Sequence, residues 1–197
     1  SHKGACFCGA VEVAVEGEPG GMGYCHCASC RSWSVWRWSS SRSCSPSADR
    51  TVTTDRDLER VVELIGRVPQ GAFDVVVRDD AGDPVVLRNA PLLDDGTPMP
   101  TRYWLVGRDA SRRVGRLEAD GGVRRAEAEV DPASHTRYAT ERDAAIPTHH
   151  AGPRPFGGVG GTRLGVKCLH AHYAWFLAGG DDPVGAWVHA HLDEVPE

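Results

Sequence analysis

The distribution of cysteine is the feature that most constrains this chain. Five of its seven cysteines fall in two tight clusters within the first 30 residues, and only one lies beyond residue 44. The clusters follow the spacings C-x-C and C-x-C-x-x-C and consist of Cys6, Cys8, Cys25, Cys27 and Cys30. These spacings bring soft thiolates within reach of one or two ions, which favours zinc, copper(I) or iron–sulfur chemistry. The cysteine-rich part and the longer remainder of the chain therefore need separate accounts.

Metal binding is the preferred interpretation of the two clusters. The cysteine count is odd, and a C-x-C pair closes a disulfide ring only with strain. In a reducing compartment, clustered cysteines bind metal more often than they pair. A disulfide or redox role and a set of inert thiols remain the alternatives.

Composition and charge point to a cytoplasmic protein. No apolar run approaches the roughly 18 residues of a membrane-spanning helix. The first four residues, Ser-His-Lys-Gly, lack the apolar centre of a secretory signal. The net charge of −5 gives no argument for nucleic acid or for an acidic membrane surface as a partner.

The sequence predicts three segments and an α+β fold class. Residues 1–34 form a small zinc-binding β fragment with a strand over residues 9–16, where apolar and polar side chains alternate. Residues 35–52 are serine-rich and predict a linker. Residues 53–197 predict an α+β domain with a short antiparallel sheet and several helices.

Local signals define the elements of the larger domain. Thr54 is a predicted N-cap with Asp57 three residues on, and Gly66 ends that helix. Asp182 and Pro183 are predicted to cap and open the last helix. The remaining patterns predict strands over 72–78, 84–89 and 102–106 and helices over 111–119, 123–130, 134–145 and 166–177.

The cysteine-rich segment resembles a known enzyme family. Residues 4–11 (GACFCGAV) and 24–31 (YCHCASCR) are similar to the signature of the glutathione-dependent formaldehyde-activating (GFA) enzymes, which share their fold with centromere protein V. The resemblance implies an open zinc site at Cys25, Cys27 and Cys30, used in carbon–sulfur lyase chemistry on a glutathione adduct. It also implies that Cys6 and Cys8 supply half of a closed zinc site, completed in that family by a later C-x-x-C. This sequence has no later C-x-x-C, so we expect zinc binding without lyase activity.

The larger domain carries a second resemblance. Its motifs are similar to an uncharacterised bacterial family, domain of unknown function 501, and occur at residues 86–91, 95–105, 141–143 and 166–171. This resemblance implies no particular activity. A gene fusion explains the join between the two segments, and a merged gene model is an equal alternative.

A glycine-rich loop is the best candidate site in the larger domain. It precedes the predicted helix that bears Lys167, Cys168 and His170. Glycines let backbone N–H groups approach a ligand, and a helix N-terminus favours anions. The loop therefore predicts a phosphate or carboxylate site, with a plain connector as the alternative. The predicted anion-binding residues are Gly158, Gly160, Gly161, Arg163 and Lys167.

Two function hypotheses follow. The first is a zinc-dependent carbon–sulfur lyase acting on a thiol adduct through the C-x-C-x-x-C cluster. The second is a non-enzymatic domain that binds an anionic ligand or a protein partner, with a vestigial cysteine-rich N-terminus. Cys168 is expected to be a buried apolar residue. His170 and His172 are expected on opposite sides of a helix, where they make a poor metal pair.

Overall fold

The computed structural model describes residues 2–5, 12–15, 54–131 and 133–194. The five clustered cysteines, Cys6, Cys8, Cys25, Cys27 and Cys30, and the serine-rich segment 35–52 lie outside these ranges. Their predicted roles stay predictions.

The described part of the cysteine-rich segment is a two-stranded antiparallel sheet. Strand β1 (His2–Ala5) pairs with strand β2 (Glu12–Val15), and Ala5 lies opposite Glu12. The predicted strand over 9–16 is therefore found over its C-terminal half. Residues 6–11, which contain the C-x-C pair, join two backbone positions that the sheet holds side by side.

Residues 54–194 form an α+β domain, as predicted. A three-stranded antiparallel sheet has the order β3 (Phe73–Arg78), β4 (Pro84–Asn89) and β5 (Tyr103–Leu105). The helices are α1 (Asp55–Ile65), α2 (Arg108–Ala119), α3 (Gly122–Glu129), α4 (His135–Ala144), α5 (Leu169–Leu177) and α6 (Pro183–His191). Short 3-10 turns cover Val159–Gly161 and Leu192–Glu194. Within the described ranges, none of the helices is long and apolar enough to cross a membrane.

The central sheet buries side chains on both faces. Successive residues of β4 alternate between two core clusters, with Val86 in the larger and Leu87 in the smaller. On β5, Tyr103 joins the larger cluster and Trp104 the smaller one. Period-two alternation of a strand puts successive side chains on opposite faces. The smaller cluster includes Val61 of α1, and the larger includes residues of α2, α5 and α6.

The start of α5 differs from the prediction. The apolar spacing predicted a helix from Val166, but the helix begins at Leu169, and Cys168 has extended backbone angles of φ −157° and ψ 117°. The backbone N–H groups of Val166 and Leu169 donate to carboxylates of other helices, at 2.7 and 2.6 Å. Tertiary contacts thus hold residues 166–168 outside the helix, so Lys167 and Cys168 precede it.

The predicted cap of α1 is confirmed, and it includes an ion pair. Thr54 and Asp57 form a capping box, and Gly66 ends the helix at φ 72°. Arg78 of β3 lies 2.8 Å from the Asp57 carboxylate. The Arg78 hydrogen bond lowers the pKa of Asp57 to about 2, against the opposing effect of burial and with help from Thr54.

Asp57→Asn should therefore destabilise the protein in a pH-dependent way. The native pKa of Asp57 lies below the ordinary value of 3.8, so its stabilising effect is full above that value and is lost as pH falls towards 2. We expect the substitution to lower the free energy of unfolding by about 1 kcal/mol at pH 7, a figure that allows for the solvent exposure of Arg78. This loss should shrink below about pH 4. Urea denaturation across this range measures it. Asp55→Asn, an exposed first-turn control, should cost at most about 0.5 kcal/mol. An Asp57→Asn loss unchanged at low pH would contradict the electrostatic assignment.

Candidate functional site

Three side chains with metal-ligand chemistry meet where α2 packs against the start of α5. They are Glu118, Cys168 and His170, and one donor atom from each lies within 4.8 Å of the other two. Glu118 lies near the C-terminal end of α2, Cys168 is the N-cap residue of α5, and His170 lies in the first turn of α5. Neighbouring Leu117 and Leu169 are fully buried, so the hydrophobic core fixes both helix segments that carry the cluster.

The Glu118 carboxylate is the centre of the cluster. Its Oε1 accepts a hydrogen bond of 2.6 Å from the Leu169 backbone N–H, and its Oε2 lies 3.2 Å from His170 Nδ1. The Cys168 side chain also forms a hydrogen bond with this carboxylate. Burial acts to raise the pKa of Glu118, but His170, the Leu169 N–H and Cys168 together lower it below its ordinary value. Glu118 is therefore an anion in contact with both other members.

The second nitrogen of His170 fixes the orientation of the ring. His170 Nε2 lies 3.0 Å from the carbonyl oxygen of Ser111. A carbonyl only accepts hydrogen bonds, so Nε2 carries a hydrogen and donates it. The side chains of His170 and Glu118 are 12% and 17% exposed, so the cluster lies just below the surface. Nδ1 is consequently the ring nitrogen on the side of Glu118 Oε2.

This arrangement suits metal binding better than thiol nucleophilic catalysis. A thiolate at Cys168 would place a second negative charge beside the Glu118 carboxylate, which opposes its formation. A cation between the donor atoms would compensate both charges. Sulfur, imidazole nitrogen and carboxylate oxygen together form a donor set that zinc accepts.

The glycine-rich loop is organised by contacts within the protein. Its backbone N–H groups at Gly158 and Val159 donate to the Thr162 carbonyl and to His135 Nδ1. The guanidinium of Arg142, which is 1% exposed, donates to the carbonyl of Gly157 at 2.7 Å. These contacts account for the loop conformation without a ligand.

The predicted anion-binding residues do not converge on one set of backbone donors. Gly160 is buried, Gly161 donates to the Gly158 carbonyl, and Arg163 stacks over the Phe156 ring at 4.1 Å. Lys167 is exposed. The N–H groups at the start of α5 already have carboxylate acceptors, so an added anion would compete with them. The anion site stays a prediction.

The structure also shows the positions of the cysteine and the two histidines for which the sequence led to expectations. Cys168 is buried, as expected, but it is also part of a polar cluster. His170 and His172 do point to different partners: His172 Nδ1 lies 2.7 Å from Asp182 Oδ2, away from Glu118. Glu118 was missed because it lies on another helix, and no local spacing links it to Cys168 and His170.

Comparison with known proteins divides the chain in the same way as the two resemblances. A family model described as "Protein of unknown function (DUF501)" matches residues 75–190, more than half of the chain. The chain belongs to the DUF501 family. A second model, for glutathione-dependent formaldehyde-activating enzymes, matches residues 1–57. No curated protein and no solved structure matches the chain.

Both resemblances stated from the sequence are thereby confirmed. The DUF501 match contains Glu118, Cys168 and His170, and the GFA match contains all five clustered cysteines. The GFA match also runs through residues 35–52, for which the sequence predicted a linker.

Two glycines of the DUF501 loop should respond differently to substitution. A Cβ at Gly158 would overlap the side chain of His135 and lie 2.7 Å from its Cα. A Cβ at Gly160 would meet nothing closer than 3.8 Å, but its φ is +65°. We expect Gly158→Ala to cost about 3 kcal/mol of unfolding free energy and Gly160→Ala about 1–2 kcal/mol, both measured by urea denaturation. Equal, small losses would show that His135 does not constrain the loop.

Proposed function

We propose that this chain is a zinc-binding protein in which a GFA-like cysteine module is joined to a DUF501 domain and has no lyase activity. The observation that carries the proposal is the family match over residues 1–57, which includes every clustered cysteine. Members of that family resemble this segment in the cysteine motifs themselves. Zinc is therefore the metal that best suits the module.

A compact four-thiolate site accounts for the cysteines without any missing partner. Structural zinc takes four ligands in tetrahedral geometry, and five cysteines are at hand. The β1–β2 pairing supports this choice, because it places the two ends of the C-x-C segment side by side. The ligands would come from Cys6, Cys8, Cys25, Cys27 and Cys30.

We expect no lyase activity because of the sequence beyond the motif. After Cys30 the chain has only Cys44 and Cys168, so the later C-x-x-C that the resemblance calls for is missing. A catalytic zinc site also needs a second shell of oriented side chains and a cavity that excludes water. Cys6 and Cys8, left without their family partners, are free to join the other three cysteines in one closed site.

Replacing Cys25 and Cys27 with serine should remove one equivalent of zinc per chain. Zinc bound by peptides of this kind contributes about 10–16 kcal/mol near neutral pH, so the wild-type protein should keep it through dialysis. Elemental analysis of the purified wild type and the double variant measures the difference. Cys44→Ser, which lies outside both clusters, is the matched control and should lose no zinc. Equal zinc in the wild type and the double variant would refute the assignment.

We also expect no turnover of S-hydroxymethylglutathione by the zinc-loaded protein. The physical reason is that a closed four-thiolate site offers no coordination position to a substrate. A spectrophotometric assay of the adduct, with and without the protein, checks this. Zinc-dependent turnover that disappears in Cys30→Ser would instead establish the enzyme hypothesis.

A further inference from the structure

We infer that Glu118, Cys168 and His170 form a second metal site, which binds a zinc-type divalent cation through three protein ligands and leaves one coordination position open. This site lies in the DUF501 domain and shares no residue with the proposed cysteine module. It therefore stands or fails independently of the proposed function.

The distances between the donor atoms fit a tetrahedral ion. His170 Nδ1 and Glu118 Oε2 are 3.2 Å apart. Zinc binds imidazole nitrogen and carboxylate oxygen at about 2.0–2.2 Å, so two such ligands lie about 3.3–3.6 Å apart in a tetrahedron. The Cys168 sulfur lies within 4.8 Å of one carboxylate oxygen of Glu118 and one ring nitrogen of His170. A tetrahedral ion requires sulfur separations of about 3.5 Å from the other two donor atoms, so the sulfur would move inward by at most about 1.3 Å.

The donor set selects the class of metal. Magnesium and calcium take oxygen ligands, and copper(I) prefers sulfur. A mixed set of thiolate, imidazole and carboxylate suits zinc, with cobalt(II) as its spectroscopic substitute. Three protein ligands rather than four leave a position for water or another small ligand.

The remaining atoms of the ligands are held by outer contacts. His170 Nε2 donates to the Ser111 carbonyl at 3.0 Å, and Glu118 Oε1 accepts from the Leu169 N–H at 2.6 Å. Metal-binding histidines and carboxylates in proteins are oriented by such second contacts. His170 Nδ1 and Glu118 Oε2 consequently lie close together before any ion binds.

Binding of the ion exchanges protons for metal. In the metal-free protein, a hydrogen bond from Cys168 and the 3.2 Å approach of His170 Nδ1 hold the Glu118 carboxylate in the cluster. The cation replaces the thiol hydrogen, which leaves to solvent, and the sulfur binds as thiolate. Any hydrogen on His170 Nδ1 leaves in the same way, while the hydrogen on Nε2 stays on that nitrogen and is donated to the Ser111 carbonyl.

A single-thiol variant of the full chain tests the inference. Replacing the other six cysteines with serine removes the proposed module and leaves Cys168 as the one thiol in the sequence. This variant should bind one equivalent of cobalt(II) and show a thiolate-to-cobalt charge-transfer band in the near ultraviolet. Further replacement by Cys168→Ser should abolish the band. A folded variant, as judged by circular dichroism, that shows no band in excess cobalt would overturn the inference.

Variants of two similar carboxylates distinguish a metal ligand from a side chain that only accepts a backbone hydrogen bond near the start of α5. Glu118 and Glu127 each accept a backbone N–H near the start of α5, but only Glu118 belongs to the cluster. In the single-thiol background, Glu118→Gln and His170→Gln should each weaken cobalt binding by at least about tenfold. Glu127→Gln and His189→Gln should not. Equal effects of Glu118→Gln and Glu127→Gln would overturn the inference.

A further experiment measures the zinc content of variants that keep all the other cysteines, so it does not need the single-thiol variant. His170→Gln should lose one equivalent of zinc while keeping the equivalent assigned to the cysteine module. Cys25→Ser with Cys27→Ser should lose the other equivalent and keep this one. A His170→Gln protein with wild-type zinc content would overturn the second site and leave the proposed function standing.

Discussion

The rest of the DUF501 domain depends on two carboxylates that hold the start of α5. Glu118 of α2 accepts the N–H of Leu169, and Glu127 of α3 accepts the N–H of Val166. Negative charge at a helix N-terminus also interacts favourably with the helix dipole. Because α5 supplies fully buried residues such as Leu169 and Ala174 to the larger core, fixing its first turn fixes its register against the sheet. The Glu118 contact also keeps this carboxylate beside His170, so Glu118 serves both the packing of α5 and the proposed metal site.

The sequence predicted the elements whose signals are local. The capping box at Thr54 and Asp57 and the start of α6 at Pro183 were found where predicted, because caps depend on residues within one turn. It misplaced the start of α5, since Val166 is buried and continues the apolar spacing, yet its N–H is committed to Glu127. It also missed Glu118 as a site residue. Periodicity indicates which face of a helix is buried, but not which other helix that face will meet.

The glycine-rich loop shows how one composition supports two physical explanations. Glycine permits backbone to approach a ligand, but it equally permits backbone to approach a neighbouring side chain. At Gly158 the neighbour is the His135 side chain, whose Nδ1 accepts the N–H of Val159. The buried Arg142 guanidinium also donates a hydrogen bond to the carbonyl of Gly157 in this loop. Interior polar contacts thus account for the glycine at position 158, while the anion site predicted for this loop stays a prediction.

The two proposed metal sites differ in what the metal would contribute. Residues 1–57 are a short segment, and segments of that size commonly need a metal or disulfides to hold a fold. A closed thiolate site there would serve stability. The cluster at Glu118 instead lies on helices already packed through Leu117 and Leu169, and its hydrogen bonds hold it in place without an ion. A metal bound there would therefore not be needed for the fold of the domain. The three-ligand site that we propose would leave one coordination position for a small ligand, so its role would be chemistry at that position and not support of the structure.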